Sequence, residues 1–248
     1  MNAFELALAV IAIVIGAIAF VSLIINFVLM MRYIKYNKTP NSSGLTGEQA
    51  ARKILDLNGL NNIGVSVTGS FLFGNSYSHF FKVVRLRRLT RHKTSVAALA
   101  MASQKTALAV LDSENDKDLK VRNKIVPIVY LGPVGLVPMI VVGALLDFVM
   151  LKLGGVLMLV CCIVALAFYL FAFILTLYNL KTEKKAQKKA YELVKEYDMA
   201  TEDEIDDMKT LFKLYNIQYV TDMILAAFEF IYYALKFIAI ISGKGGNK

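Results

Sequence analysis

The chain has 248 residues, of which 57% are hydrophobic, and it carries a formal net charge of +9. That apolar content exceeds what is typical of a water-soluble domain. The apolar residues also fall into long runs, which argues against one large aqueous core and for membrane spans. The bases lie mainly between these runs, which makes the charge a topology signal, and no nucleic-acid partner is expected.

Four apolar runs predict about four transmembrane helices. The first run has no charged residue, and the preceding MNAFE lacks the basic start of a secretory signal, so we expect an uncleaved span. The second run contains three prolines, which predict a kinked or partly interfacial helix because proline removes a backbone donor. The four runs are residues 6–31, 125–151, 153–180 and 219–241.

The distribution of bases orients these helices. Residues 32–124 contain sixteen Lys/Arg and six Asp/Glu, and further bases follow the third run directly. Because bases near span ends face the cytoplasm, we expect a multi-pass protein of the cell membrane with its N-terminus outside and both polar segments cytoplasmic. The predicted partners are the lipid bilayer and other membrane proteins or a second copy of the chain.

The first polar segment predicts a small α+β unit. The TGEQ stretch that begins at Thr46 has the pattern of a capping box and Gly59 suits a helix C-terminus, so a short amphipathic helix is expected between them. Alternating, β-branched residues at 63–69 and 81–86 predict a two-stranded ribbon. The Ala-rich stretch 95–111 predicts a further helix, and the acidic DSENDKDLK after it a flexible connection.

The predicted fold class is therefore a mainly α membrane protein with a small cytoplasmic α+β segment. After the third apolar run, a charged stretch continues the helix into the cytoplasm, and a second capping box at Thr201 opens the helix that leads to the fourth run. The predicted divisions are an N-terminal transmembrane helix (1–37), the α+β segment (38–124), transmembrane helices two and three (125–180), a charged helical segment (181–218), and transmembrane helix four with a short tail (219–248).

Common catalytic and metal-binding patterns do not occur in the sequence. It has no phosphate-binding glycine loop, no cysteine pair at zinc-finger spacing and no Ser-His-acid arrangement. Cys161 and Cys162 lie inside the third apolar run, where a structural role is expected. The two histidines, His79 and His92, are too few for a three-histidine metal site, and each is expected to be an ordinary polar residue.

Several motifs resemble one known family. GLTGEQAARKILDLNGL, VTG, KVVRL and TSVAALAMA follow one another in the order and spacing of the YugP-like neutral zinc metallopeptidases of bacterial membranes. The resemblance covers roughly residues 40–235 and is most specific over 44–60 and 94–99. It implies one span, a small cytoplasmic domain and a membrane helix bundle, with zinc as the cofactor and proteolysis as the activity.

The family's catalytic motif, H-E-x-x-H, is lost at the positions that the resemblance assigns to it. In that motif, two histidines one helical turn apart bind zinc and the glutamate is the general base. Here the ligand positions fall on Gln104 and Leu108 and the base position on Lys105. A neutral amide, an alkyl group and an ammonium group are poor substitutes. No H-x-x-x-H occurs at any other position in the chain either, so zinc is not expected.

The resemblance also places a further family ligand after the third apolar run. The family's V-E-F-x-A-S-x-R-A stretch aligns with TEKKAQKKA, which puts that glutamate at Glu183. One carboxylate does not hold zinc by itself. The family's D-H-Y-D-P stretch is replaced by NSYSH at residues 75–79, and His92 corresponds to a family histidine for which a structural role is expected.

Ionisable residues in the fourth apolar run are additional candidates. Asp222, Glu229 and Lys236 are seven residues apart and therefore share one helix face. Because a charge inside a membrane is costly, the central Glu229 is expected either to meet a partner on another helix or to serve a proton or substrate path. Separately, residues 82–93 contain six bases and are expected to lie near anionic lipid headgroups.

Three functions stay open at this point. The leading hypothesis is a pseudoenzyme: a degenerate member of the metallopeptidase family that is catalytically inactive and acts as an interaction or regulatory protein in the membrane. The second is an active membrane zinc metallopeptidase with an unconventional site made from Glu183, His92 and His79. The third is a small transporter or channel subunit that uses Glu229.

Overall fold

The structure, a computed structural model, describes residues 3–68, 74–124, 141–143, 145–146 and 156–241. It is mainly helical with a small β-sheet, as the sequence predicts. The elements in chain order are α1 (Ala3–Lys38), α2 (Gly47–Leu57), β1 (Gly64–Val67), β2 (Ser76–Ser78), β3 (Val83–Leu86), α3 (Arg88–His92), α4 (Val96–Ser113), α5 (helical residues 117–124), α6 (Val156–Glu196) and α7 (Glu202–Ile241).

The chain divides into two compact units. The first is Met1–Asn41, Ser95–Ala97 and Glu202–Lys248, and the second is Ser42–Thr94 and Ala98–Thr201. In the first unit, α1 packs along α7. The second unit contains the β-sheet, most of α4, and α6, and it holds the candidate site described below.

Helix α1 is the element with the composition of a membrane span. Among the described residues, one helix, Glu5–Lys38, is long and apolar enough to cross a membrane, and it contains the first predicted span. The second predicted span lies almost entirely outside the described residues. The third and fourth fall on the continuous helices α6, described from residue 156, and α7. That these two helices cross a membrane stays a prediction.

Helix α2 has the ends that its sequence predicts. Thr46 is the N-cap, its side chain accepts a hydrogen bond from the Gln49 amide, and the Gln49 side chain accepts one from the Thr46 amide. At the other end Gly59 has a φ of +69°, and the Leu60 amide donates to the Leu55 carbonyl at 2.8 Å. This is a Schellman ending, in which glycine tolerates the left-handed backbone that other residues resist.

The small sheet differs from the predicted two-stranded ribbon. It has three strands in the order β1-β3-β2. The two predicted strands do pair, but in parallel, whereas β2 pairs antiparallel with β3 through a short turn. The prediction missed β2 because Ser-Tyr-Ser is too short and polar to show an alternating apolar pattern. A parallel pair also needs a longer connection than a hairpin turn, and β2 lies within that connection.

Helix α4 is the centre of the second unit. The sequence predicts a helix over 95–111, and the structure places it at Val96–Ser113 with nearly every side chain buried. Its alanines are all buried. Its hydroxyls are satisfied inside the helix, since Ser103 Oγ donates to the Leu99 carbonyl at 2.7 Å and Thr106 Oγ1 to the Ala102 carbonyl at 2.8 Å.

Candidate functional site

Helices α4 and α6 bring three of the sequence-predicted site residues together. Lys105 Nζ lies 2.7 Å from Glu183 Oε2. The side-chain amide nitrogen of Gln104 lies 2.9 Å from the same oxygen. The positions that the family resemblance assigns to a zinc ligand, the general base and a further ligand are therefore in direct contact, although 78 residues separate Lys105 from Glu183.

Arg122 of α5 completes this group, although no motif in the sequence marks it. Its Nη2 lies 3.1 Å from Glu183 Oε1, and its Nε donates to Asn179 Oδ1 at 2.9 Å. Glu183 thus accepts hydrogen bonds on both carboxylate oxygens. We call Gln104, Lys105, Arg122 and Glu183 the Glu183 cluster.

The Glu183 cluster is largely withdrawn from solvent. The side chains of Lys105, Glu183 and Arg122 are 15%, 17% and 10% exposed. Burial by itself would favour the neutral acid, but the Lys105 and Arg122 cations outweigh it and hold the pKa of Glu183 below its usual value. The carboxylate is therefore ionised and shared between two cations.

These residues do not fit a zinc ion. Leu108, one turn after Gln104, has no ligating atom and is fully buried. Both oxygens of Glu183 already accept hydrogen bonds from cations, and a lysine ammonium would repel a dication. Within the described part of the chain, no group of three His, Cys, Asp or Glu residues could hold a metal ion.

The contacts described for the two histidines are with residues outside the Glu183 cluster. His79 Nδ1 lies 2.6 Å from Asp112 Oδ2. His92 ends α3 and is exposed, and the neighbouring Arg91 pairs with Glu48. None of the contacts described for His79, His92 and Glu183 joins one of them to another.

Asp112 forms a second polar cluster that sequence reasoning missed. Its side chain is 5% exposed. Its Oδ2 accepts a hydrogen bond from the Tyr77 hydroxyl at 2.7 Å and lies 3.3 Å from Lys82 Nζ, while Asn123 Nδ2 lies 3.3 Å from Oδ1. Burial opposes ionisation of Asp112, but hydrogen bonds from His79 and Tyr77 prevail and lower its pKa. The sequence marked one partner of Asp112, because Tyr77 matches the tyrosine of the family's D-H-Y-D-P stretch, but no motif marked Asp112 itself.

A series of ion pairs holds the connection after α4 against α6. Lys181 Nζ lies 2.9 Å from Asp118 Oδ1, Lys185 contacts Asp116, and Lys189 Nζ lies 2.7 Å from Glu114 Oε1. The lysines are four residues apart and so lie on one helix face. The prediction of a flexible connection is therefore wrong, because its acids match the lysines of α6 and its second half forms α5.

The charged residues of the fourth apolar run have separate surroundings in the first unit. Asp222 Oδ1 accepts a hydrogen bond from Ser22 Oγ at 2.6 Å. Glu229 is exposed on α7. Lys236 Nζ lies 4.8 Å from the centroid of the Tyr232 ring. A transport role for Glu229 stays a prediction, as does the structural role of the cysteines, of which Cys161 is a free thiol.

Comparisons with known proteins extend the motif resemblance to most of the chain. Residues 10–238 match the family model described as "Putative neutral zinc metallopeptidase". The chain is 26% identical over 215 residues to "Putative membrane protease YugP" of Bacillus subtilis (strain 168), an alignment that covers 86% of this chain and 90% of that protein. No solved structure gives a significant match. The resemblance inferred from the sequence motifs is thereby confirmed.

Proposed function

Because the chain belongs to the family of neutral zinc metallopeptidases, we propose that it is a membrane protein that keeps the family scaffold and uses it without zinc. In this proposal it acts as an interaction or regulatory protein for other membrane proteins. The observation that carries the proposal is the Glu183 cluster, in which Lys105 and Arg122 occupy both oxygens of the carboxylate.

The charge balance of the cluster supports a scaffold that folds without a metal. A carboxylate with little access to water needs a counter-charge, and leaving it unpaired is costly. In the family that the motifs resemble, zinc would supply that counter-charge. Here the Lys105 ammonium and the Arg122 guanidinium supply it, so Glu183 keeps a structural role after the loss of the other ligands.

The same contacts argue against the family's hydrolytic chemistry at this position. A general base must accept a proton from water, and Lys105 instead donates to Glu183. Gln104 also donates to that carboxylate. The side chains at the positions of the base and the ligands are thus hydrogen-bonded to one another.

The membrane assignment has its own support. Helix α1 has the length and composition of a span, and the Bacillus subtilis relative is named as a membrane protease. We propose the multi-pass arrangement drawn from the distribution of bases, with the N-terminus outside and the Glu183 cluster on the cytoplasmic side.

The second candidate function is membrane proteolysis, which the family match over residues 10–238 favours. It would require an unconventional site from Glu183, His92 and His79. Against it, Glu183 is bound by Lys105 and Arg122, and His79 is bound by Asp112. Proteolysis through such a site would need these ion pairs to open.

A protease assay separates the two candidates. The full-length protein is purified in detergent and incubated with unfolded casein and with membrane-protein substrates, with and without a zinc chelator. We expect no cleavage above that of Glu183→Gln prepared in parallel. Cleavage that the chelator abolishes and that Glu183→Gln lacks would favour the proteolytic candidate and overturn the first.

A further inference from the structure

The turn that joins β2 to β3 exposes two adjacent phenylalanines. Phe80 is 85% exposed and Phe81 is 65% exposed, and their rings meet edge to face with centroids 5.2 Å apart. Among the described residues, the other large apolar side chains that are at least 65% exposed lie on the long helices α1 and α7, namely Ile13, Leu23 and Tyr233. Two neighbouring solvent-facing rings on a small folded unit indicate a binding surface.

The turn is fixed in place by the cluster around Asp112. His79 and Lys82, the residues on either side of the two phenylalanines, both lie within contact distance of Asp112 Oδ2, at 2.6 Å and 3.3 Å. The Phe81 amide donates to Ser78 Oγ at 3.3 Å. A turn that is already ordered loses little conformational freedom when it binds. The rings are therefore presented in a prepared geometry.

The chain segment that carries the turn is strongly basic. Residues 57–94 contain six Lys/Arg and no Asp or Glu. The Arg85 guanidinium carbon lies 5.2 Å from the centroid of the Phe81 ring, and the Lys82 side chain is 46% exposed. Arg87 and Arg88 are also exposed. A partner with negative charge and an apolar layer would match both properties of this surface.

We propose that this turn, Phe80 and Phe81 with Lys82 and Arg85, docks into the interface of an anionic lipid bilayer. Aromatic side chains beside bases are the composition of segments that lie at the headgroup and acyl boundary. The chain carries the candidate span α1, so a bilayer is available to it without a separate encounter. The docking does not depend on whether the Glu183 cluster is catalytic.

A single tryptophan can report the position of the turn because the natural chain contains none. Full-length Phe80→Trp is reconstituted in nanodiscs of phosphatidylcholine alone or mixed with phosphatidylglycerol, with brominated acyl chains as the quencher. We expect blue-shifted emission and several-fold stronger lipid quenching in the anionic discs. Adding Arg85→Gln to Phe80→Trp should reduce that quenching.

Leu57→Trp is the matched control, since Leu57 is 56% exposed at the end of α2 in the same unit. We expect an aqueous quencher to reach the Leu57→Trp indole and to reduce its emission in both lipids. The proposal would be overturned if the brominated lipids quench the Phe80→Trp indole in neither type of disc, or to the same extent in both. A blue shift without lipid quenching would show that protein covers the turn and would overturn it as well.

Discussion

Lys105 Nζ lies 2.7 Å from Glu183 Oε2, and the two residues occupy positions where the family resemblance places the general base and a zinc ligand. A metalloenzyme site needs the first group to accept a proton and the second to bind a cation. In this chain the first group has become the cation. The contact therefore balances the charge of Glu183, and in the proposed function it does so in place of zinc.

Removal of the Lys105 ammonium should destabilise the protein. Lys105→Met leaves Glu183 with one cation in a site that is 17% exposed, and loss of one partner of such a pair costs about 1–3 kcal/mol. Lys209→Met is the matched control, because Lys209 and its partner Asp206 are 53% and 72% exposed, where an ion pair contributes about 0–1 kcal/mol. Thermal melts followed by circular dichroism in detergent measure both variants, and we expect Lys105→Met to melt at the lower temperature. Equal melting temperatures for the two variants would contradict this expectation.

Exchange of the two charges should be tolerated better than either change alone. Glu183→Lys places three cations together, and Lys105→Glu places two carboxylates beside a single arginine. The double exchange Lys105→Glu with Glu183→Lys restores a total of one negative and two positive charges, with Arg122 as one of the two cations. We expect its melting temperature to lie above those of both single variants. A double variant that melts at or below the lower of the two would show that the pair does not act through charge.

The family's motif can be rebuilt to test the placement of the site. Gln104→His, Lys105→Glu and Leu108→His together supply two imidazoles on one helix face beside Glu183, which Gln104 already contacts at 2.9 Å. We expect stoichiometric zinc by mass spectrometry and a zinc-dependent rise in melting temperature. The control retains Lys105 and changes only Gln104 and Leu108, and it should bind little zinc. A folded triple variant without zinc would contradict the alignment of these positions.

The pKa of Glu183 predicts a pH dependence of stability. Its pKa is held below the usual value by Lys105 and Arg122 against the effect of burial. A carboxyl with a lowered pKa in the folded state stabilises the protein above the pKa of the unfolded chain, about 4.3, and loses that contribution as the pH falls through the folded value. The stability advantage of the natural protein over Glu183→Gln should be constant above about pH 5 and shrink below about pH 4. Melting curves of both proteins over this range check it, and an advantage that grows on acidification would contradict it.

The parts of the fold that the sequence predicts are those with local signals. The capping box at Thr46 and the glycine at position 59 determine the ends of α2 through contacts within a few residues. The apolar composition of residues 6–31 likewise predicts α1. The strand β2 carries no such signal, because three residues are too few for a pattern, and its pairing with β3 is seen only in the folded chain.

The candidate site likewise combines residues that sequence motifs locate with residues that no motif marks. The family motifs locate Gln104, Lys105 and Glu183, and the structure brings them together. Arg122 could not be identified, since it reaches Glu183 across 61 residues of sequence and has no motif around it. Asp112 is similar, because its partners come from a sheet whose topology the sequence does not predict.

Zinc binding by the natural protein decides whether Lys105 and Arg122 have replaced the metal at Glu183. The full-length chain, purified in detergent and dialysed against a limited excess of zinc, is analysed for bound metal by mass spectrometry beside Glu183→Gln. We expect sub-stoichiometric zinc that is equal in both proteins, because Lys105 and Arg122 occupy the carboxylate. Stoichiometric zinc in the natural protein that is lost in Glu183→Gln would contradict it.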